Sequence, residues 1–220
     1  MCGKFTQMMS WGTLVKLADL MNAPAGPEEI VTPMRFASVI RRGANGEREV
    51  ARMRWGFVPA AAKDPLGPAK HIHARAETLD TRPTFRDAFL HNRGLLVVRT
   101  FNEGKEISPS KTEQYVITPN DALPVAIAVI WERWVERNEG ELLTFAMVTV
   151  RANTLIAEIT DRMPAIIQPN DWAKWLGETP ASVDELKALL VPFEGDWTMR
   201  PQGKTAPPPK PRDDSQPSLF

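Results

Sequence analysis

Strands in the middle of the chain and helices toward both ends predict an α+β domain. Three observations carry that reading. The segment "EVARMRWGF" alternates apolar and polar residues, as a half-buried strand does. The runs "LLVVRTF", "PVAIAVIWERW" and "LLTFAMVTV" are rich in branched and aromatic side chains, which suit a pleated surface. Apolar residues at helical spacing appear near residue 10 and again beyond residue 170.

In chain order, Ser10 is a suitable N-cap for a helix that places Trp11, Leu14, Val15, Ala18 and Met21 on one face. Asn22-Ala23-Pro24 stops it, because proline cannot continue the hydrogen-bond ladder. The four strands follow. A helix starting near Asn170 carries Trp172, Trp175 and Leu176. Another opens at Ser182, with Glu185 completing a capping box, and carries Val183, Leu186 and Leu190. From Gln202 the chain reads "QGKTAPPPKPRDDSQPSLF", proline-rich and polar, the composition of a disordered tail. The expected division is one domain over residues 1–200 and a tail over 201–220.

Composition bounds the function. The 220 residues, 43% hydrophobic and 25% charged, suit a globular domain with a real core. One cysteine excludes an internal disulfide framework and a cysteine-rich zinc site. No apolar run approaches the ~18 residues of a membrane span, and no leader precedes a cleavage site, so the expectation is a cytoplasmic protein without membrane partners. Net charge is zero, yet residues 35–99 hold thirteen Lys/Arg against six Asp/Glu. Such a basic stretch can attract phosphates on an otherwise neutral molecule, or simply be solvated surface. No cofactor and no metal are expected.

The single cysteine is Cys2. Removal of Met1 would leave a 1,2-aminothiol. An α-amine has a pKa of about 7.7–8.0, so much of it is free base near neutrality, and an ordinary thiol, at about 8.5, is partly ionised. With an aldehyde this pair forms an imine that the sulfur closes into a thiazolidine. Alternatively the amine serves as base in acyl transfer, as in N-terminal nucleophile hydrolases. A cysteine at this position by chance is the plain alternative.

Other residues carry chemistry less insistently. His71 and His73 are spaced as two ligands on one strand face, without further ligands nearby. Arg75, Arg82 and Arg86 offer guanidinium groups for phosphate, or decorate a charged loop before a helix. Glu103 follows the apolar run "LLVV", where a carboxylate at a strand end can be raised in pKa and act as general acid and base. Asp161-Arg162 interrupt an apolar stretch, either as a buried pair or with the arginine reaching a phosphate.

Together these segments resemble the SOS response-associated peptidase family, known also for proteins that crosslink to abasic sites in single-stranded DNA. The family begins Met-Cys-Gly-Arg-Phe; here it is Met1-Cys2-Gly3-Lys4-Phe5. Its Trp-Gly-Tyr/Phe/Leu-x-Pro is matched by Trp55-Gly56-Phe57-Val58-Pro59. Its Asn-Ala-Arg-x-Glu-Thr is matched, except at the first position, by His73-Ala74-Arg75-Ala76-Glu77-Thr78. Its Phe-Tyr-Glu-Trp corresponds to Phe101-Asn102-Glu103-Gly104, and its Ile-His-Asp-Arg-Met-Pro to Ile159-Thr160-Asp161-Arg162-Met163-Pro164.

The resemblance implies twisted, mainly antiparallel strands forming an open barrel with flanking helices and a DNA cleft. It implies that Cys2, freed by autoproteolytic removal of Met1, is both peptidase nucleophile and crosslinking residue, with Glu103 moving protons. Lys4, Arg75, Arg86 and Arg162 would hold DNA phosphates, and Trp55 would be core. Three departures stand out: His73 for the family asparagine, Thr160 for its catalytic histidine, and Asn102 and Gly104 for the aromatics beside the glutamate. Threonine carries no proton near neutral pH, so either His73 supplies the imidazole at about pKa 6.5, or the chain is a DNA-binding relative with impaired crosslinking. An N-terminal cysteine amidohydrolase is the reading from another class. At the tail, Gln216-Pro217-Ser218-Leu219-Phe220 resembles the peptide that bacterial polymerases and repair proteins insert into the β sliding clamp, with Gln216, Leu219 and Phe220 as anchors and Pro217 as the departure.

Overall fold

A computed structural model of the chain describes residues 2–7, 29–64, 71–121, 123–136 and 140–203. The helix expected after Ser10 and the tail with its Gln216, Leu219 and Phe220 lie outside these residues. Eleven strands form one sheet system: β1 (Lys4–Gln7), β2 (Glu29–Val31), β3 (Phe36–Arg42), β4 (Arg48–Trp55), β5 (His73–Arg75), β6 (Arg93–Ser108), β7 (Lys111–Pro119), β8 (Val125–Glu136), β9 (Gly140–Arg151), β10 (Arg162–Pro164) and β11 (Trp197–Pro201). Three α-helices are described: α1 (Pro83–His91), α2 (Trp172–Leu176) and α3 (Val183–Ala188). None is long and apolar enough to cross a membrane.

Five strands close a ring. β3 pairs β4, β4 pairs β9, β9 pairs β8, β8 pairs β6, and β6 returns to β3. The barrel is therefore closed where an open one was expected. Two of its seams are short. β4 and β9 meet in parallel at Arg54↔Thr144 and Trp55↔Phe145, and β3 meets β6 at Ile40↔Leu95 and Arg41↔Gly94. Closure removes sheet edges that would otherwise pair with other chains.

The sequence pattern explains the ring. Inside it lie Val39, Met53, Trp55, Leu96, Val98, Ile127, Val129, Phe145 and Met147, all buried. Each fully buried large side chain contributes about 1.5–3 kcal/mol relative to exposure. α1 starts with Pro83 in its first turn, where the missing N–H costs nothing, and packs Phe85, Ala88 and Phe89 inward. α3 has the expected capping box: Ser182 Oγ accepts from the Glu185 N–H at 3.2 Å, and the Ser182 N–H donates to Glu185 Oε2 at 2.7 Å. α2 ends at Gly177, whose φ of 80° is the left-handed conformation that favours glycine.

β6 organises everything else. Its first half lies between β8 and β3, and its second half between β1 and β7. Glu103 is thus not at a strand end. It sits in mid-strand opposite Tyr115, because β7 continues the ladder through the polar residues "NEGKEIS" after β1 has ended at Asn102.

Candidate active site around Cys2

β1 brings the beginning of the chain to β6, with Lys4 opposite Asn102 and Phe5 opposite Phe101. Phe5 packs on Trp55 with ring centroids 5.2 Å apart, and Trp55 stacks on Phe145 at 6.3 Å. Trp55 is core, as expected. Its indole N–H also donates to the Ile72 carbonyl at 2.9 Å, which fixes the chain entering β5. The next residue, Gly56, turns the chain at φ 138° and donates its N–H to the Phe145 carbonyl at 2.9 Å. One aromatic layer therefore positions both Cys2 and His73.

Cys2 is fully buried, which its place near the chain end did not suggest. Its thiol donates to the Lys4 carbonyl at 3.4 Å. Burial, and then the charge of Glu103, push the thiol far above its ordinary range, so it is not the partly ionised group expected of an exposed thiol. It is a thiol that needs a base.

Glu103 is that neighbour. It is 1% exposed, and burial raises its pKa to about 7. The Cys2 backbone N–H pulls it back, while the charge of Asp161 adds to the rise. Near neutral pH both its protonated and ionised forms are populated, the property wanted of a group that gives and takes a proton in one cycle.

His73 accompanies them on β5. Its Nε2 lies 2.6 Å from the Cys2 carbonyl oxygen. A carbonyl only accepts, so Nε2 carries the hydrogen. Burial lowers the ring's pKa to about 4, so the imidazole is neutral at physiological pH. This differs from a shuttle titrating near 6.5. His73 acts here as a fixed donor that orients Cys2.

Thr160 follows the 3₁₀ turn Ile156–Glu158, half-buried, its N–H donating to the Ile156 carbonyl at 3.0 Å. Its neighbour Asp161 reaches Glu103 electrostatically. Arg162 does not pair with Asp161. Its guanidinium is bidentate on Glu77, at 2.5 and 2.9 Å, and donates also to the Thr149 carbonyl at 2.6 Å. Its side chain is 9% exposed. Arg75, at the end of β5, is exposed, and Lys4 on β1 is half-buried. Arg86, on α1, is exposed and contacts Asp87 at 3.2 Å. The fold thus gathers Cys2, Glu103 and His73 at one point and sets Arg75 two residues from His73. Arg86 sits apart, on a helix surface. His71 turns away from His73 and packs edge-on against Phe85 at 5.5 Å.

The ring-closed barrel agrees with comparison to known proteins. Residues 1–205 match the family described as SOS response associated peptidase (SRAP), and the chain belongs to that family. Abasic site processing protein YoqW of Bacillus subtilis is 30% identical over 201 residues, covering 89% of each chain. YobE of the same organism, named likewise, is 31% identical over 202 residues, covering 89% of this chain and 91% of its own. Abasic site processing protein HMCES of Xenopus tropicalis is 27% identical over 68% of this chain and 51% of its own. A Bordetella bronchiseptica protein of known structure superposes with a TM-score of 0.77 at 21% identity, over 92% of this chain and all of its own. One from Bacteroides thetaiotaomicron gives 0.76 at 22% identity, over 92% and 93%. The structural likenesses establish the fold.

Proposed function

We propose that this protein captures abasic sites in single-stranded DNA as a thiazolidine at Cys2. The observation that carries the proposal is the meeting of three groups: a buried Cys2, a Glu103 whose pKa stands near 7, and a neutral His73 that holds the Cys2 carbonyl. The names of the YoqW, YobE and HMCES relatives supply the substrate class.

Hydrolysis of the Met1–Cys2 peptide bond by water frees the amine. The amine nitrogen adds to the aldehyde carbon of the ring-opened abasic sugar, giving a carbinolamine. Protonated Glu103 gives its proton to the departing hydroxyl, and water leaves as the protonated imine forms. The Glu103 carboxylate so produced takes the thiol proton and sulfur bonds to the iminium carbon, which neutralises the nitrogen and leaves Glu103 protonated again. Aldehyde and aminothiol become thiazolidine and water. Autoproteolytic release of Met1 is the peptidase step, with Cys2 as its nucleophile.

The test uses an oligonucleotide carrying one abasic site, run on a denaturing gel. Wild type gives a covalent band that Cys2→Ala abolishes; capture by Cys2→Ala at the wild-type level sinks the proposal. One observation favours a second reading, a DNA-binding relative with slow chemistry. Thr160 has no group that titrates near pH 7, and the His73 ring, lowered to about 4, does not either. In that case DNA binds without a covalent band. An amidohydrolase acting on small amides would give neither. Intact mass of wild type beside Cys2→Ala reports whether Met1 removal depends on the nucleophile.

The tail is proposed to tether the protein to the β sliding clamp through Gln216, Leu219 and Phe220, raising its local concentration at replication forks. A fluorescent peptide of the last fifteen residues that fails to compete with a known clamp peptide rejects this.

A further inference from the structure

β5, the end of β9 and β10 make a three-stranded patch beside the nucleophile. His73, Ala74 and Arg75 lie opposite Met147, Val148 and Thr149. On the other edge of β9, Arg162, Met163 and Pro164 lie opposite Arg151, Val150 and Thr149. Directly paired residues share a face, and successive residues alternate. One face of the patch therefore holds Ala74, Val148, Val150 and Met163, all buried in the core. The other holds His73, Arg75, Thr149, Arg151 and Arg162. Because His73 touches Cys2, this second face belongs to the nucleophile's side of the sheet.

The three arginines on it are not equivalent. Arg162 is buried and committed, both terminal nitrogens spent on Glu77 and Thr149. Arg75 and Arg151 are exposed, and among the described residues neither side chain makes a hydrogen bond or an ion pair. Arg151 contributes only a field, felt at the Glu77 carboxylate beside that of Arg162. Two guanidiniums thus act on one carboxylate, and Arg75 stands exposed two residues before it, leaving excess positive charge at the site's edge. Along the strand direction the two exposed arms stand about 7 Å apart, and about 5 Å across the ladder. Two long side chains so placed can converge on one phosphate or hold two neighbours.

We infer that Arg75 and Arg151 form a two-armed phosphate grip, braced by the Arg162–Glu77 pair, that holds the single-stranded DNA backbone beside Cys2. This rests on the function proposed above and adds Arg151, which no family motif picks out. It also divides the labour: the buried arginine shapes the patch, and the exposed pair touches DNA.

The test is binding of the full-length protein to an undamaged single-stranded oligonucleotide across a salt series. Arg151→Gln and Arg75→Gln each lower the slope of log K against log salt by about 0.7, and the double variant by about 1.4. Arg133→Gln, an exposed cation paired with Glu141 near the far end of β9, leaves the slope unchanged. An unchanged slope for Arg151→Gln overturns the grip, even if the abasic oligonucleotide is still captured. Conversely, a wild type that shows the slope changes but no covalent band overturns the capture chemistry and keeps the grip. Both positions are exposed, so melting curves matching wild type confirm that folding is not the cause of any change.

Discussion

β6 carries two charged groups withdrawn from water, a half-buried Arg93 at its start and a buried Glu103 further along. At its start, the Arg93 guanidinium is enclosed by the carbonyls of Phe89, Leu90 and Trp175 at 2.6–2.7 Å. These are the last-turn carbonyls of α1 and α2, which need donors and welcome a cation. Ten residues along the same strand, about 30 Å away, Glu103 is more deeply enclosed, and desolvation dominates its charge. The chain-terminal ammonium and the Cys2 amide favour the carboxylate, the Asp161 carboxylate opposes it, and burial outweighs them. Arg93 is a clamp that ties two helices to the barrel. Glu103 is held at an acidity the unfolded chain would not give it. What separates the two is the balance at each: carbonyls meet the charge of the half-buried Arg93, whereas at the buried Glu103 desolvation outweighs the groups that favour its charge.

The sharpest way to break this comparison is Glu103→Gln. It should cost about 10²–10⁴-fold in capture rate, the usual weight of a general acid–base, read as band formation against time. Stability should move the other way. Glu103 has its pKa raised from 4.5 to about 7, so its contribution is fully present below about pH 4.5 and is lost as pH rises through 7. Glu103→Gln should therefore melt higher than wild type at pH 8, by about 3 kcal/mol, with the gap closing at pH 4. A variant that melts lower at pH 8 would make Glu103 an ordinary structural residue.

Arg93→Met should do the reverse. It orphans three carbonyls and costs about 2–5 kcal/mol in chemical denaturation, while the folded fraction captures DNA at the wild-type rate. A catalytic defect in fully folded protein would erase the distinction between the two ends.

The smallest effect is expected of His73→Asn. Asparagine keeps an N–H for the Cys2 carbonyl, so capture should fall less than about tenfold between pH 6 and 8. His73 has a lowered folded pKa, so its contribution is present above about 6.5 and is lost as pH falls through about 4. The variant should accordingly lose less stability than wild type on acidification from pH 6.5 to 4. A large loss of rate following a pKa near 6.5 would restore His73 as a proton carrier.

What the sequence made legible tracks where the information is local. β4, β8, β9 and the first half of β6 appear as apolar patterns, and α3 as the Ser182–Glu185 box, because each is decided within a few residues. β7 and β11 were missed: "KTEQYVITP" and "WTMRP" are strands because of ladder partners, not because of an apolar face. The burial of Cys2 had no local signal, since its cover arrives from β6. Arg162 was expected beside Asp161 or a phosphate, and its partner Glu77 lies 85 residues earlier. Arg151 looked like any surface cation until the β9–β10 register placed it opposite Arg162.

The pairing of β1 with β6 has a consequence for how the protein comes into being. Residues 4–7 meet residues 98–102, a closure of about a hundred residues that costs roughly 4 kcal/mol in chain entropy. Contacts of such long range form late and slowly. Until they form, the cysteine sees water, its sulfur has an ordinary acidity, and no carboxyl group stands by to transfer protons. Any proton transfer by Glu103 therefore begins only when the fold is complete, and a half-folded chain on the ribosome or after partial unfolding leaves the thiol in water with no carboxyl group beside it.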